Sequence, residues 1–143
     1  MQVIAHDALM SVAHPAFAQA GVRCVGLEEL TVAADAISLH DPLLGSTRRL
    51  FDAVPIAAMK RGAVLINASR GGVVNESALA AALKGGTRWG AVLDVFEAEP
   101  MCAGSAFADC PNLVSTPYIA GVSIESNEWV SFMIAQRILE ALA

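Results

Sequence analysis

The sequence predicts one α/β domain built around a parallel sheet with right-handed crossovers. Short apolar runs alternate with helical or loop segments along the chain, without a repeat or a low-complexity tract. Most runs are continuously apolar, which is typical of strands covered on both faces. The 143 residues, 55% hydrophobic and 16% charged, suffice for one domain with a buried core and exclude a disordered chain.

Six apolar runs are the predicted strands, and five segments are predicted to be helical. The runs occupy residues 3–5, 22–25, 36–39, 63–66, 91–96 and 113–114. The helical segments occupy residues 13–20, 27–30, 51–59, 76–84 and 123–143. Strands and helices in steady alternation are the pattern of an α/β fold.

Local signals mark the ends of several helices. Gly21 follows the first helix as a C-cap residue, and Gly85 closes the fourth. Asn75 opens the fourth helix with a side-chain acceptor for its free amide groups. Pro55 must lie in the first turn or mark a boundary, so the third helix is predicted to be short.

The last helix is predicted to be long and amphipathic. Its apolar residues recur at near-helical spacing, at Ile124, Val130, Ile134, Ile138 and Leu142. Because the helix also carries Trp129 and Phe132, we expect it in the core or in an interface rather than in a cofactor site.

Charge and composition argue against several classes of partner. The net charge of −5 does not suit binding to nucleic acid or to an anionic membrane. No apolar run approaches the roughly 18–20 residues of a membrane span, and the first residues lack a basic signal-peptide segment. The three cysteines form no CxxC pair, so neither a disulfide framework nor a metal site is predicted. We expect a cytoplasmic protein.

Polar segments follow the ends of the predicted strands. They contain His6 and Asp7, then His40 to Pro42, residues 67–72, Asp94, Glu97 to Pro100, and Thr116 to Tyr118. Ligands of open parallel sheets bind beyond the carboxyl ends of the strands. Five of these six segments carry an ionisable group other than tyrosine, so we predict a polar site at this edge of the sheet.

Three long motifs in series resemble one known family. They are AAMKRGAVLINASRGGVVNESALAAALKGG, AVLDVFEAEP and CPNLVSTPYIAG, preceded by ADAISLHDPLLGSTRRLFD. They resemble the dinucleotide-binding domain of the NAD-dependent 2-hydroxyacid dehydrogenases that act on D-isomers. The resemblance covers nearly the whole chain and implies a doubly wound, Rossmann-like sheet that binds NAD. It also implies hydride transfer to or from a small 2-hydroxy or 2-oxo acid substrate, and a homodimer.

The resemblance assigns three residues to the chemistry. Arg70 would bind the carboxylate and the carbonyl oxygen of the substrate, which suits its planar, bidentate guanidinium. Glu99 matches the carboxylate that pairs with the catalytic acid/base, and Tyr118 stands in the acid/base position itself. Glu97 is expected to be solvated.

The resemblance also implies cofactor contacts. Asp7 would accept hydrogen bonds from the adenosine ribose and repel a 2′-phosphate, which favours NAD over NADP. A surface turn is the alternative role of Asp7. Asp94 would fix the nicotinamide carboxamide, and His40 is expected to cap its strand. The other residues expected at the cofactor are Asp41, Pro42, Thr47, Ala68, Ser69, Arg70, Tyr118 and Gly121.

Tyr118 departs from the family pattern, because members usually carry histidine at this position. An imidazole titrates near about 6.5 and a phenol near about 10, so tyrosine donates a proton at neutral pH but is a poor base. A neighbouring Glu99 carboxylate further disfavours a negative phenolate. We therefore expect any catalysis to be slow and biased toward reduction of 2-oxo acids.

The glycine pattern is a second departure. No two of the eleven glycines lie two positions apart, so the G-x-G-x-x-G turn that holds a pyrophosphate is not in these residues. We interpret residues 1–143 as a partial dinucleotide-binding domain, an incomplete doubly wound sheet without its first strand, this turn or the substrate domain. The neighbours of that strand are expected to expose unpaired edges.

Three interpretations follow from these observations. The leading one is a fragment of a 2-hydroxyacid dehydrogenase. The second is a non-catalytic nucleotide-binding or scaffold remnant of the same fold. The third is a truncated relic whose exposed edges are filled by its own symmetry mate.

Overall fold

The computed structural model describes residues 1–86, 90–102 and 104–142. Within these ranges, parallel strands alternate with helices, which confirms the predicted α/β class. The strands are β1 (Ile4–Ala5), β2 (Arg23–Cys24), β3 (Ala36–Leu39), β4 (Val64–Asn67), β5 (Gly90–Leu93) and β6 (Leu113–Ser115). The helices are α1 (Pro15–Gln19), α2 (Leu27–Ala33), α3 (Ala53–Ala58), α4 (Glu76–Lys84) and α5 (Ile124–Leu142).

The strands form two separate parallel sheets. The first pairs β1 with β2, and the second has the order β3-β4-β5-β6. In the part of the chain that the structure describes, no strand pairing joins β1 to β3. The two sheets are therefore not joined by a strand within these ranges.

The register of the four-stranded sheet aligns the carboxyl ends of its strands. Leu39 lies opposite Asn67, Asn67 opposite Leu93, and Leu93 opposite Ser115. The loops that follow these four strands therefore begin side by side at one edge of the sheet.

The core lies between this sheet and the helices α3 and α4. Phe51, Leu65 and Leu79 are fully buried, and Phe51 also forms a parallel bridge to Val74. Each side chain of this size contributes about 1.5–3 kcal/mol when it leaves water. The core thus fixes the strands that carry the edge loops.

Only β3 and α4 have the predicted bounds, and β5 and α2 depart from theirs by three residues at one end. The strand β5 ends at Leu93 rather than at residue 96, because the chain turns at Asp94, whose amide still donates to the carbonyl of Asn67. The helix α2 continues to Ala33, and the buried Thr31 donates its hydroxyl to the carbonyl of Leu27. Pro55 lies in the first turn of α3, as predicted.

The long helix α5 was expected in the core or in an interface, and the first of these two places is wrong. None of its residues is buried, so it does not lie in the core. Trp129 and Phe132 are 67% and 70% exposed. Ile124 and Met133 point to opposite sides, since nine residues turn a helix by two and a half turns. Apolar side chains therefore surround much of the helix, and no element in the described ranges covers them.

Candidate functional site

The loop after β4 is shaped by Asn67. This buried side chain accepts hydrogen bonds from the amide and the hydroxyl of Ser69, at 3.1 and 2.8 Å. Its Nδ2 donates to the carbonyl of Arg70 at 3.1 Å. The guanidinium of Arg70 donates to the carbonyl of Ser69 at 2.6 Å, and the residue is exposed. Asn67 belongs to one of the predicted polar segments, but its residue type alone does not distinguish it from its neighbours there.

Gly71 brings this loop against the loop after β5. A Cβ atom on Gly71 would lie 1.9 Å from the carbonyl oxygen of Phe96 and 2.4 Å from its carbonyl carbon. No side chain fits at that distance, so only glycine permits this approach. The contact places the backbone next to Arg70 directly against the segment that leads to Glu99.

The loop after β5 carries two glutamates beside the first turn of α4. The amide of Phe96 donates to Oε1 of Glu99 at 2.9 Å, and the amide of Glu97 donates to the carboxylate of Glu76. Burial raises the pKa of Glu76; the amide of Glu97 acts in the opposite direction, and the charges of Glu97 and Glu99 add to the rise. Glu97 and Glu99 are themselves exposed.

The turn after β6 carries Tyr118. Its backbone is in the left-handed region, with a φ of 57°, and its side chain is 47% exposed. The amide of Tyr118 donates to the carbonyl of Asp94 at 3.1 Å. The turn is therefore joined to the end of β5 as well as to β6.

The side chain of Asp94 binds the same turn. Its Oδ1 accepts from the hydroxyl of Thr116 at 2.5 Å and from the amide of Ile119 at 2.8 Å, and its Oδ2 accepts from the amide of Ala120 at 2.9 Å. Burial acts to raise the pKa of Asp94, but the hydrogen bonds from Thr116, Ala120 and Ile119 together lower it below its ordinary value. Asp94 is therefore a carboxylate at neutral pH.

A cavity of about 520 Å³ opens beside Tyr118 and Glu99. This volume is in the range of small-molecule sites. Its lining comprises Phe96, Glu99, Pro100, Met101, Ser115, Thr116, Pro117 and Tyr118.

The loop after β3 completes the edge. The hydroxyl of Thr47 donates to the carbonyl of Pro42 at 2.5 Å and accepts from the amide of Leu44 at 2.8 Å. Nε2 of His40 lies 2.9 Å from the hydroxyl of Ser38, so His40 binds its own strand. Asp41 follows His40 in this loop, two residues after Leu39, which lies opposite Asn67 at the end of β4.

The remaining predicted cofactor residues lie in three places. Ala68 is exposed in the loop after β4, and the carbonyl of Gly121 accepts from the hydroxyl of Ser126 at 2.8 Å. Asp7 follows β1, in the other sheet. Its Oδ1 accepts from the amides of Leu9 and Met10, at 2.8 and 3.1 Å, which is the geometry of a surface turn.

Metal-binding clusters and membrane-spanning helices are both lacking in the described ranges. No group of three or more His, Cys, Asp or Glu side chains there is arranged to hold a metal ion. No helix in those ranges has the length and hydropathy needed to cross a membrane.

Known proteins resemble this chain in sequence. The sequence profile of the NAD binding domain of D-isomer specific 2-hydroxyacid dehydrogenases matches residues 1–120. The chain is 46% identical over 142 residues to the (S)-sulfolactate dehydrogenase of Chromohalobacter salexigens, which aligns 99% of this chain with 46% of that protein. It is 40% identical to the glycerate dehydrogenase of Methylorubrum extorquens, over 96% of this chain and 41% of that protein.

Solved structures show the same similarity. A glyoxylate reductase from Paecilomyes thermophila superimposes with a TM-score of 0.82 at 28% identity, over 99% of this chain and 42% of that one. The chain thus spans less than half the length of each of these three relatives.

Proposed function

Because the chain belongs to the D-isomer specific 2-hydroxyacid dehydrogenases, as an NAD binding domain, we propose that it forms the nicotinamide side of a site for hydride transfer. The substrate is a small 2-hydroxy or 2-oxo acid. One observation carries the proposal: the loops of Arg70, Glu99 and Tyr118 follow neighbouring strands at one edge of the sheet, and the last two of these loops line a cavity.

The residues present fit one end of the cofactor. Three donors occupy the Asp94 carboxylate, which offers about four acceptor positions, so one is left for the nicotinamide carboxamide. We assign the nicotinamide and its ribose to Ala68, Ser69, Arg70, Tyr118 and Gly121, and further cofactor contacts to Asp41, Pro42 and Thr47. The glycine pattern that cradles a pyrophosphate is not among these 143 residues. Asp7 remains our candidate for the adenosine ribose.

Side chains of this chain bind the charged substrate and supply the proton that the reduction needs. When bound, the nicotinamide supplies a hydride to C2 of a 2-oxo acid or takes it back from the alcohol. Arg70 binds the substrate carboxylate and offsets the charge that grows on the carbonyl oxygen. The phenol of Tyr118 donates the proton that this oxygen needs in reduction, and Glu99 orients the donor from the same cavity.

Arg70 provides the first test. We expect Arg70→Gln to lower kcat/KM for a 2-oxo acid about 100-fold to 1000-fold, the usual loss when one donor to an oxyanion is removed. Turnover is measured with NADH and glyoxylate, hydroxypyruvate or pyruvate. Arg61→Gln is the matched control, because Arg61 is exposed before the other end of β4. Equal losses in the two variants would contradict the role of Arg70.

Tyr118 provides the second test. We expect Tyr118→His to raise turnover strongly, and most in the oxidation of the hydroxy acid, because an imidazole accepts a proton at neutral pH and a phenol does not. The measurement compares both directions at pH 7. If neither direction changes, Tyr118 does not hold the acid/base position.

A non-catalytic nucleotide-binding module is the second candidate function. Tyr118 in the position of a catalytic histidine favours it. A titration with NADH separates the candidates: binding without turnover supports the module, binding with turnover supports the dehydrogenase, and no binding rules out both for this chain.

We also propose that the chain forms a homodimer in the cytoplasm. The apolar surface of α5 supports the dimer, since exposed apolar area of this extent marks interaction surfaces in soluble proteins. The three cysteines, Cys24, Cys102 and Cys110, are unpaired thiols, which suits a reducing compartment.

A further inference from the structure

We propose that Asp94 is a positioning residue, which holds Tyr118 at the sheet edge by binding the turn on both sides of it. The inference rests on the proposed function, because Tyr118 is the proton donor only under that function. The effect of Asp94 on the backbone conformation of Tyr118 does not depend on that function and can be measured without a cofactor.

The hydrogen bonds of Asp94 enclose Tyr118. Thr116 precedes it by two residues, and Ile119 and Ala120 follow it directly; all three donate to the Asp94 carboxylate at 2.5–2.9 Å. The amide of Tyr118 itself donates to the Asp94 carbonyl. One residue thus accepts four hydrogen bonds from a turn of five residues.

The backbone of Tyr118 needs such restraint. Its φ of 57° lies in the left-handed region, which a residue other than glycine rarely adopts unless its surroundings impose it. A relaxed turn would return Tyr118 to negative φ and redirect its side chain. Besides the hydrogen bond from the Thr116 amide to the carbonyl of Leu93, the restraints on this turn are the three donors on the Asp94 side chain and the one on its carbonyl.

The chemistry of the clamp requires a carboxylate. Every partner of the side chain is a donor, and an ionised carboxylate accepts on both oxygens. In Asp94→Asn, an NH₂ group replaces one of the two oxygens. In one orientation this group faces the Ala120 amide, and in the other it faces the Thr116 hydroxyl and the Ile119 amide. Either way, one backbone amide loses its acceptor. Asp94 is only 6% exposed, so water has little access to replace a lost partner.

Tyr118 is the one tyrosine of the chain, which makes the test specific. In the 143-residue protein labelled with [¹³C,¹⁵N]-tyrosine, NMR gives signals from this residue alone. We expect the Cα and Cβ shifts and the amide coupling of the wild type to indicate positive φ. In Asp94→Asn, we expect these signals to shift to values of negative φ or to split into several forms.

Three further variants complete the design. Thr116→Ser keeps the hydroxyl and should retain the wild-type tyrosine signals, whereas Thr116→Val removes the donor and should shift them in the direction of Asp94→Asn. Asp109→Asn is the matched control, since Asp109 is exposed and lies outside the turn. It should leave the signals unchanged.

Each result of these NMR measurements either supports or overturns the role of Asp94. If Asp94→Asn folds with wild-type tyrosine signals, the proposal is overturned. If Asp94→Asn does not fold, Thr116→Val decides: shifted signals with rescue in Thr116→Ser support the clamp, and unchanged signals overturn it. A clamp without NADH binding or turnover would refute the proposed function alone.

Discussion

At the residue scale, the site depends on contacts that a pattern of residue types does not disclose. The sequence identified Arg70, Glu99 and Tyr118 through a resemblance, and strand ends through hydrophobicity. It did not show that Asn67 shapes the loop of Arg70, because that requires knowing which side chain turns inward at the end of β4. Nor did it show that Asp94 binds a turn more than twenty residues away.

Gly71 gives a prediction for stability. Gly71→Ala forces the loops after β4 and β5 apart, because the new methyl group would overlap the carbonyl of Phe96. We expect a loss of about 1–3 kcal/mol in the free energy of unfolding, as for other overpacked sites. Gly45→Ala is the control; nothing lies within 4 Å of a Cβ there, and its effect should stay within about 0.5 kcal/mol. Urea denaturation measures both, and equal midpoints would refute the steric argument.

Asp94 gives a prediction for pH. Its pKa is lower in the folded than in the unfolded chain, so its stabilising effect is complete above the ordinary value of about 3.9 and is lost as the pH falls through the folded pKa. The difference in unfolding free energy between wild type and Asp94→Asn should therefore be large at pH 7 and shrink below about pH 4. Urea titrations across this range check it; a constant difference would mean that the charge of Asp94 plays no part.

At the scale of elements, hydrophobic runs predicted which strands and helices exist better than where they end. The strand β5 ends early because Asp94 turns toward β6, although Val95 and Phe96 continue the apolar run. The helix α5 was predicted from residue 123 and begins at Ile124, while the predicted last residue, 143, lies outside the described residues. Its surroundings were not predicted, since periodicity cannot say what covers an apolar face. The start of α4 was predicted correctly from a local signal. Asn75 was expected to cap this helix, and its side chain accepts from the amide of Ala78.

Glu76, in the first turn of α4, gives a prediction for this element. Its pKa is raised in the folded chain, so its ionisation lowers stability as the pH rises from the ordinary value of about 4.3 through the folded pKa. Glu76→Gln removes this cost and keeps an acceptor for the amide of Glu97. We expect the variant to gain stability at pH 7, and the gain to vanish near pH 3.

The control for Glu76→Gln is Glu28→Gln, in the first turn of α2. Both variants lose a favourable interaction of about 0.3–1 kcal/mol between the glutamate charge and the amino end of its helix. Because Glu28 is exposed, its substitution removes no cost of burying a charge. Glu76→Gln should therefore be the more stable change of the two at pH 7 in urea denaturation. The reverse order would show that burial does not penalise the Glu76 charge.

At the scale of the whole molecule, the two ends of the chain contribute little to the core. The four-stranded sheet with α3 and α4 holds most of the buried side chains, whereas α5 holds none. The sequence predicted the alternation and the parallel sheet, since these depend on local hydrophobicity. It could not predict how completely α5 stands apart from that core.

The proposed dimer gives a prediction at this scale. We expect Ile134→Asp, which places a charge on the apolar surface of α5, to raise the dimer Kd at least about tenfold, because a buried isoleucine contributes about 1.5–3 kcal/mol. Light scattering coupled to gel filtration measures the mass of each variant. Val54→Asp is the control, since Val54 is 80% exposed on α3. A wild-type monomer, or equal effects of both changes, would contradict a dimer through α5.

The separation of the two sheets affects how readily each of them unfolds locally. Among residues 1–26, Val25 alone is buried, so the segment of β1, α1 and β2 is held by few apolar contacts. Segments of this kind unfold locally at a small fraction of the global free energy. Hydrogen exchange of the backbone amides of Ala5 and Cys24 should therefore be orders of magnitude faster than that of Leu65 and Val92 in the four-stranded sheet. On the proposed cofactor contacts, Asp7 then belongs to a transiently open unit and Arg70, Asp94 and Tyr118 to the four-stranded sheet, so we expect a dinucleotide to dock first by its nicotinamide end.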